Sequence, residues 1–372
     1  MHLSRSLIAS LLIASAFAGN AAATTMREKP LIQVAVLLDT SNSMDGLIDQ
    51  ARTQLWRVVN ELATAKKNGV TPDLRVALYE YGNDRLAAPH IRRVLPLTAD
   101  LDKVSEELFA LKTDGGDEYC GQVIDEATRQ LEWSSSSADL KLIFIAGNEA
   151  FTQGSVDFHQ SCRRAIAKGI VVNTIFCGPK DEGIATNWKE GADIADGSFL
   201  TIDQNSRVAD IPAPQDKEIA ALGVQLNQTY IAYGNVGAAG KGRQTAQDAN
   251  LAAAPTANVQ RQVAKASAAY VNSSWDLVDA AKTGQIDLDK VDVKELPAEM
   301  QKMTPAQRKA YVAENEKKRA ELQAKIHKLD EERRKYVAEQ MKKLPPASNT
   351  LERAVITAVR STGTKKGYDF HK

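Results

Sequence analysis

The chain has 372 residues, 43% hydrophobic and 25% charged, enough to bury one good core and leave material for a second region. Lysine plus arginine equals aspartate plus glutamate at 47 each, a balance that gives no electrostatic footprint for nucleic acid or for an anionic membrane surface. Neither is expected as a partner.

Met1 to Ala23 carries Arg5, an apolar run from Leu7 to Ala18 and the small residues Ala21, Ala22 and Ala23. This pattern predicts a secretory signal peptide cleaved near Ala23 and too short to span a bilayer stably. No cysteine lies near the cleavage site and no later stretch approaches about 18 apolar residues, so neither a lipid anchor nor an integral span is expected. The expected location is periplasmic or extracellular. In such an oxidising compartment Cys120, Cys162 and Cys177 predict one disulfide and one leftover thiol, with the pair left open.

Leu31 to Asp39 is an almost unbroken apolar run, as expected of a central parallel strand covered by helices on both faces. It ends in Asp39, Ser41 and Ser43, and a helical periodicity follows from Met44 to Ala65. Open sheets bind ligands beyond the carboxyl ends of their strands. The three residues offer hard oxygen donors, which suit Mg²⁺, with Mn²⁺ or Ca²⁺ as alternatives, rather than zinc or copper. A plain helix cap is the other reading of these polar residues.

Asp39-Thr40-Ser41-Asn42-Ser43 resembles the D-x-S-x-S motif of von Willebrand factor type A domains, whose metal-ion-dependent adhesion site (MIDAS) binds a divalent cation. The resemblance covers roughly the first half of the mature chain, from about 29 to 204. It implies a doubly wound, mostly parallel α/β sheet and a metal held by Asp39, Ser41 and Ser43, with an open position for an acidic side chain of a protein or cell-envelope partner.

Two later loops depart from the family pattern. In TDGGDEYCG, Asp117 stands where the family places a threonine, with Glu118 next to it and Thr113 out of register. A carboxylate there binds a cation more strongly by charge, yet accepts an anionic partner less readily. Acidic residues at a helix start also favour the macrodipole without any metal. The strand Leu140 to Ala146 ends in Gly147-Asn148-Glu149, so Gly147 replaces the aspartate of the family's Thr-Asp-Gly. Asn148 or Glu149 could supply the oxygen instead, and Asn148 and Asp117 are taken as the expected further metal ligands. Asn42, Thr113, Glu118, Glu149 and Gln153 complete the candidate rim.

Between these motifs Leu74 to Tyr81 and Arg92 to Leu97 predict an antiparallel edge hairpin. Strands and helices then alternate as far as Gly197 to Ile202. From 205 to 255 the composition loosens into a linker with a docking helix over Lys217 to Thr229. GNVGAAGKGRQT fails as a phosphate loop, because Gly242 stands where Ser or Thr is needed.

Residues 256 to 344 read as helical, with Leu322, Leu329 and Tyr336 forming a partial heptad. Antiparallel packing on the Val263 to Val278 helix and oligomerisation through a coiled coil explain it equally. Residues 345 to 372 read as a C-terminal tail, in which a short segment from Leu351 to Val359 precedes a solvated basic end with Lys365, Lys366 and Lys372.

The five histidines are scattered, and no nucleophile elbow or paired catalytic set stands out, so the chain is read as a non-enzyme. The expectation is a secreted binding protein acting through a cation at the rim around Asp39. The alternatives are a metal-free scaffold working through its helical arm, and a metal-dependent hydrolase built on Asp39, Asp117 and Glu149.

Overall fold

The computed structural model describes residues 29–205, 211–343 and 350–370. The expected signal peptide lies outside them. Within the described residues no helix is long and apolar enough to cross a membrane.

The first part interleaves strands and helices: β1 (Leu31–Asp39), α1 (Asp45–Thr64), a short β2 (Ala65–Lys67), β3 (Asp73–Tyr81) and β4 (Ile91–Thr98) come first. Next are α2 (Leu101–Ala110), α3 (Cys120–Gln130), β5 (Leu140–Gly147), α4 (Phe158–Ala167) and β6 (Val171–Phe176). The helices α5 (Lys180–Ala185) and α6 (Trp188–Ile194) lead into β7 (Phe199–Thr201). The main sheet has the order β4-β3-β1-β5-β6-β7, parallel throughout except for β4, which is antiparallel to β3 at one edge. This is the expected mostly parallel α/β sheet.

β1 sits in the middle because it is apolar on both sides. Ile32, Val34 and Leu38 enter one core with residues of α1 and α2, while Ala35 and Leu37 enter another with residues of α3 and α4. The period of two follows from the alternation of side chains along a strand.

The second part is helical: α7 (Asp216–Asn227), α8 (Gly237–Asn250), α9 (Pro255–Ala266), α10 (Leu277–Lys282), α11 (Ala298–Gln301) and the 37-residue α12 (Pro305–Met341). Thr304 and Gln307 form a reciprocal capping box at the start of α12. α12 packs within the chain against α7, α9 and α10, with Leu322 and Ile326 buried.

Two sequence readings need correction here. Much of GNVGAAGKGRQT, inside the segment read as a linker, belongs to α8, whose small residues serve close packing: a Cβ on Gly240 would lie 2.3 Å from the Trp275 ring. The segment read as a C-terminal tail forms α13 (Leu351–Lys365) and β8 (Tyr368–Phe370). Leu351, Val355, Ala358 and Val359 of α13 are buried in the same core as the α1 face of β1. Gln50 and Gln54 of α1 accept from the otherwise unpaired N–H groups of Leu351 and Glu352, at 2.9 and 2.6 Å. β8 pairs antiparallel with β2, and the Tyr368 hydroxyl donates to the Leu31 carbonyl at 3.1 Å. The helices α7 to α12 therefore form an insertion between β7 and the helix that closes the sheet.

A buried polar cluster ties that insertion to α2. Arg261 pairs with Asp102 at 2.6 Å and with Asp248 at 2.5 Å, and Lys265 pairs with Asp248 at 2.8 Å. The Tyr270 hydroxyl donates to Asp102, and the Arg261 guanidinium lies 4.6 Å from the centre of the Trp56 ring. Each charge has a partner, as burial requires.

The expected disulfide is absent. Cys120, Cys162 and Cys177 are separate buried thiols, with Cys177 in the core on one side of the sheet and the other two in the core on the opposite side.

Candidate metal site

β1 delivers Asp39 to the carboxyl end of the sheet, fully buried. Its Oδ1 accepts from the Ser41 backbone N–H at 2.7 Å, which fixes the turn into α1. Ser41 is nearly buried, and its Oγ lies 3.3 Å from Ser43 Oγ at the exposed lip of the turn. The Asn148 side chain meets Ser43, with its Nδ2 donating to Ser43 Oγ at 3.2 Å. Asp39, Ser41, Ser43 and Asn148 are thus brought together from the ends of β1 and β5.

The loop before α3 does not do what its sequence suggests. Asp117 points outward, exposed, and accepts from the Tyr119 hydroxyl at 2.8 Å. Glu118 turns inward instead, 3% exposed, with its N–H anchored on Gln153 Oε1 at 3.0 Å. Its carboxyl faces the Asp39 carboxyl, close enough for the two to share a proton. Gly82, in the left-handed region at φ +74°, leaves the room: a Cβ there would lie 2.7 Å from Glu118 Cγ and 2.9 Å from Asp39 Oδ1. In the sequence Glu118 reads only as a rim residue, and Gly82, just after β3, is the residue that makes room for it.

The remaining rim residues are spread more widely. The Thr113 hydroxyl is committed to Asp45 Oδ1, and Asn42 is exposed beside Gly115. Glu149 is exposed and accepts from Gln153 at 3.3 Å, while its charge raises the carboxyl pKa of Asp39 and Glu118. Gly147 has no space for an aspartate. A Cβ would stand 2.5 Å from the Tyr81 hydroxyl, which donates to the Ala146 carbonyl at 2.9 Å.

Two oxygens decide the chemistry. Asp39 Oδ2 and Glu118 Oε2 are buried, and no donor of the protein reaches either. Burial pushes the Asp39 carboxyl above its ordinary range. Burial, with the Asp39 charge added, pushes the Glu118 carboxyl up further. Such a pair needs a shared proton or a cation. Among the described residues no group of three or more His, Cys, Asp or Glu is placed to hold a metal, so any ion here must also draw on the serine hydroxyls and the Asn148 amide. Two carboxylates, two hydroxyls and an amide form a hard oxygen set that fits Mg²⁺, Mn²⁺ or Ca²⁺.

Residues 33–202 match the profile of the von Willebrand factor type A domain. The first part of the chain is a von Willebrand factor type A domain. Solved structures similar to it include conserved hypothetical protein BatB from Bacteroides thetaiotaomicron, at 17% identity over 46% of this chain and 90% of that one, TM-score 0.36. The SpRpn10 type A domain matches at 13% identity over 48% of this chain and 90% of that one, TM-score 0.37. Proximal thread matrix protein 1 from the mussel byssus, with zinc in its MIDAS motif, matches at 13% identity over 46% and 42%, TM-score 0.34. No curated protein matches the chain. The type A domain here retains the first motif residues together, and replaces the other two loops with Glu118 and the Gly147–Tyr81 contact.

Proposed function

We propose that this is a binding protein, secreted through its N-terminal segment, whose type A domain engages a protein or cell-envelope partner at the rim around Asp39 with the help of a divalent cation. Asp39, Ser41, Ser43, Glu118 and Asn148 would hold the ion, which supplies a Lewis-acidic point for an oxygen of the partner. The observation that carries this reading is the pair of buried, donorless oxygens Asp39 Oδ2 and Glu118 Oε2 beneath the Ser43–Asn148 lip. Buried acceptors left without a donor cost about 1–3 kcal/mol each, more when charged, so the arrangement favours a bound cation.

The competing reading is a metal-free scaffold, and it rests on the same pair, since one shared proton also satisfies two facing carboxyls. Calorimetric titration of chelator-stripped mature protein with Mg²⁺, Mn²⁺ and Ca²⁺ separates the two. One equivalent bound by the wild type and lost in Asp39→Ala is the expected result. A folded wild type that binds none of the three ions overturns the cation reading.

A further inference from the structure

The chain as a whole is neutral, so any local imbalance of charge is a property of one surface. The type A rim is built from the loops 40–45, 82–90, 112–119 and 147–153. These carry Asp45, Asp84, Asp114, Asp117 and Glu149 around the buried Asp39 and Glu118, opposed by Arg85, Lys112 and His90, whose Nδ1 lies 3.8 Å from Asp84, with Lys180 beyond the end of β6. Arg85 is already paired with Asp114 at 2.7 Å.

The loops are tied to one another, so the acidic groups form a fixed surface. The Asp84 N–H donates to the Gly115 carbonyl, Asp114 N–H to the Thr40 carbonyl at 3.0 Å, and Glu118 N–H to Gln153 at 3.0 Å. At their base lie the buried carboxyls of Asp39 and Glu118, with Oδ2 and Oε2 that no donor of the described residues reaches.

We infer that this rim selects a basic partner, a lysine- or arginine-rich protein segment, rather than the acidic one implied by the family resemblance. The inference rests on the reading of the rim as the binding face. A divalent cation cancels only Asp39 and Glu118. The five outer acidic residues still outnumber Arg85, Lys112, His90 and Lys180, so an incoming carboxylate meets like charge before it reaches the ion. Charge complementarity of this kind sets which partners are admitted and how fast they arrive.

The test uses full-length mature protein with fluorescein-labelled octalysine and octaglutamate, read by anisotropy with and without Mg²⁺, at about 50 and about 150 mM NaCl, where screening differs. Octalysine should bind, weaken with salt, and lose at least about tenfold in affinity in the triple variant Asp84→Asn/Asp117→Asn/Glu149→Gln. All three positions are exposed, and circular dichroism confirms the fold of the variant. Neutralising the exposed Glu331 and Glu332 on α12 should leave octalysine binding unchanged. Mg²⁺-dependent capture of octaglutamate overturns the inference while supporting the cation reading. Rim-dependent octalysine capture by a protein that binds no cation in calorimetry does the reverse. No octalysine binding, or binding indifferent to the triple variant, overturns the inference.

Discussion

Asp39 at the end of β1 and Glu118 ahead of α3 face each other as buried carboxyls, each with one oxygen that no donor reaches. In the cation-free protein this contact is a cost to stability, because both groups are desolvated and a second charge there repels the first. Glu118→Gln should therefore stabilise the chelated protein by about 1 kcal/mol, a rise of about 2–4 °C in Tm, and weaken Mg²⁺ binding at least about tenfold. Thermal melting and calorimetry check the two halves, and a destabilised, cation-tight variant would contradict both.

Restoring the family's aspartate should not restore its site. Gly147→Asp places a side chain against the Tyr81 hydroxyl, 2.5 Å from the new Cβ. Denaturant unfolding should show a loss of about 1–3 kcal/mol from overpacking, without tighter cation binding. Gly147→Ala should show most of the same loss.

The Asp102–Arg261–Asp248–Lys265 cluster gives the fold an acid limit. Burial alone would raise the Asp248 carboxyl, but Lys265 and Arg261 outweigh it and hold the group at about 2. Its folded value is thus below its unfolded value of 3.8, and the stabilisation is complete above that pH. About 2 kcal/mol should be lost as pH falls from about 4 to about 2. Asp248→Asn should remove that limb of the stability profile and cost about 3–5 kcal/mol at neutral pH, because Arg261 and Lys265 are left buried with less compensation. Unfolding measured across pH 2–7 for both proteins is the check.

The three cysteines should behave as inert thiols. All are buried, and burial pushes Cys120 and Cys177 well above the ordinary thiol range and Cys162 to about 12. A thiol reagent should find none reacting rapidly in the native protein and three after unfolding. A non-reducing mass measurement showing two hydrogens missing would restore the disulfide.

Removing the last helix should damage the type A domain itself. A fragment of residues 29–205 leaves the apolar strip covered by Leu351, Val355, Ala358 and Val359 open to water. It should aggregate or melt well below the intact chain, and a synthetic peptide of residues 350–370 should raise its melting temperature. A cooperative, monomeric fragment indifferent to the peptide would refute this role of α13.

The sheet was legible because its signals are local. A strand that is apolar on both faces, such as Leu31 to Asp39, has few places to go other than the middle of a covered sheet. The first motif was legible for the same reason, since Asp39, Ser41 and Ser43 lie within one turn. The loop before α3 was not, because which of Asp117 and Glu118 points inward is set by the Gln153 anchor and the space left by Gly82, both distant in sequence. α8 was hidden by composition: glycine and alanine read as a linker until Trp275 is seen to need a close neighbour. The closing helix was hidden by distance. Its amphipathic pattern is short, and its apolar face acquires meaning only against α1 and β6.

The position of α13 also sets an order of events. A ribosome makes this chain from its N-terminus, so β1 to β7 exist for about 150 residues of synthesis before the helix that seals their exposed face is complete. Through that interval the strip of core that α13 covers stays open to water. A prematurely terminated product would fail to close, and proteases would meet an open core rather than a finished domain.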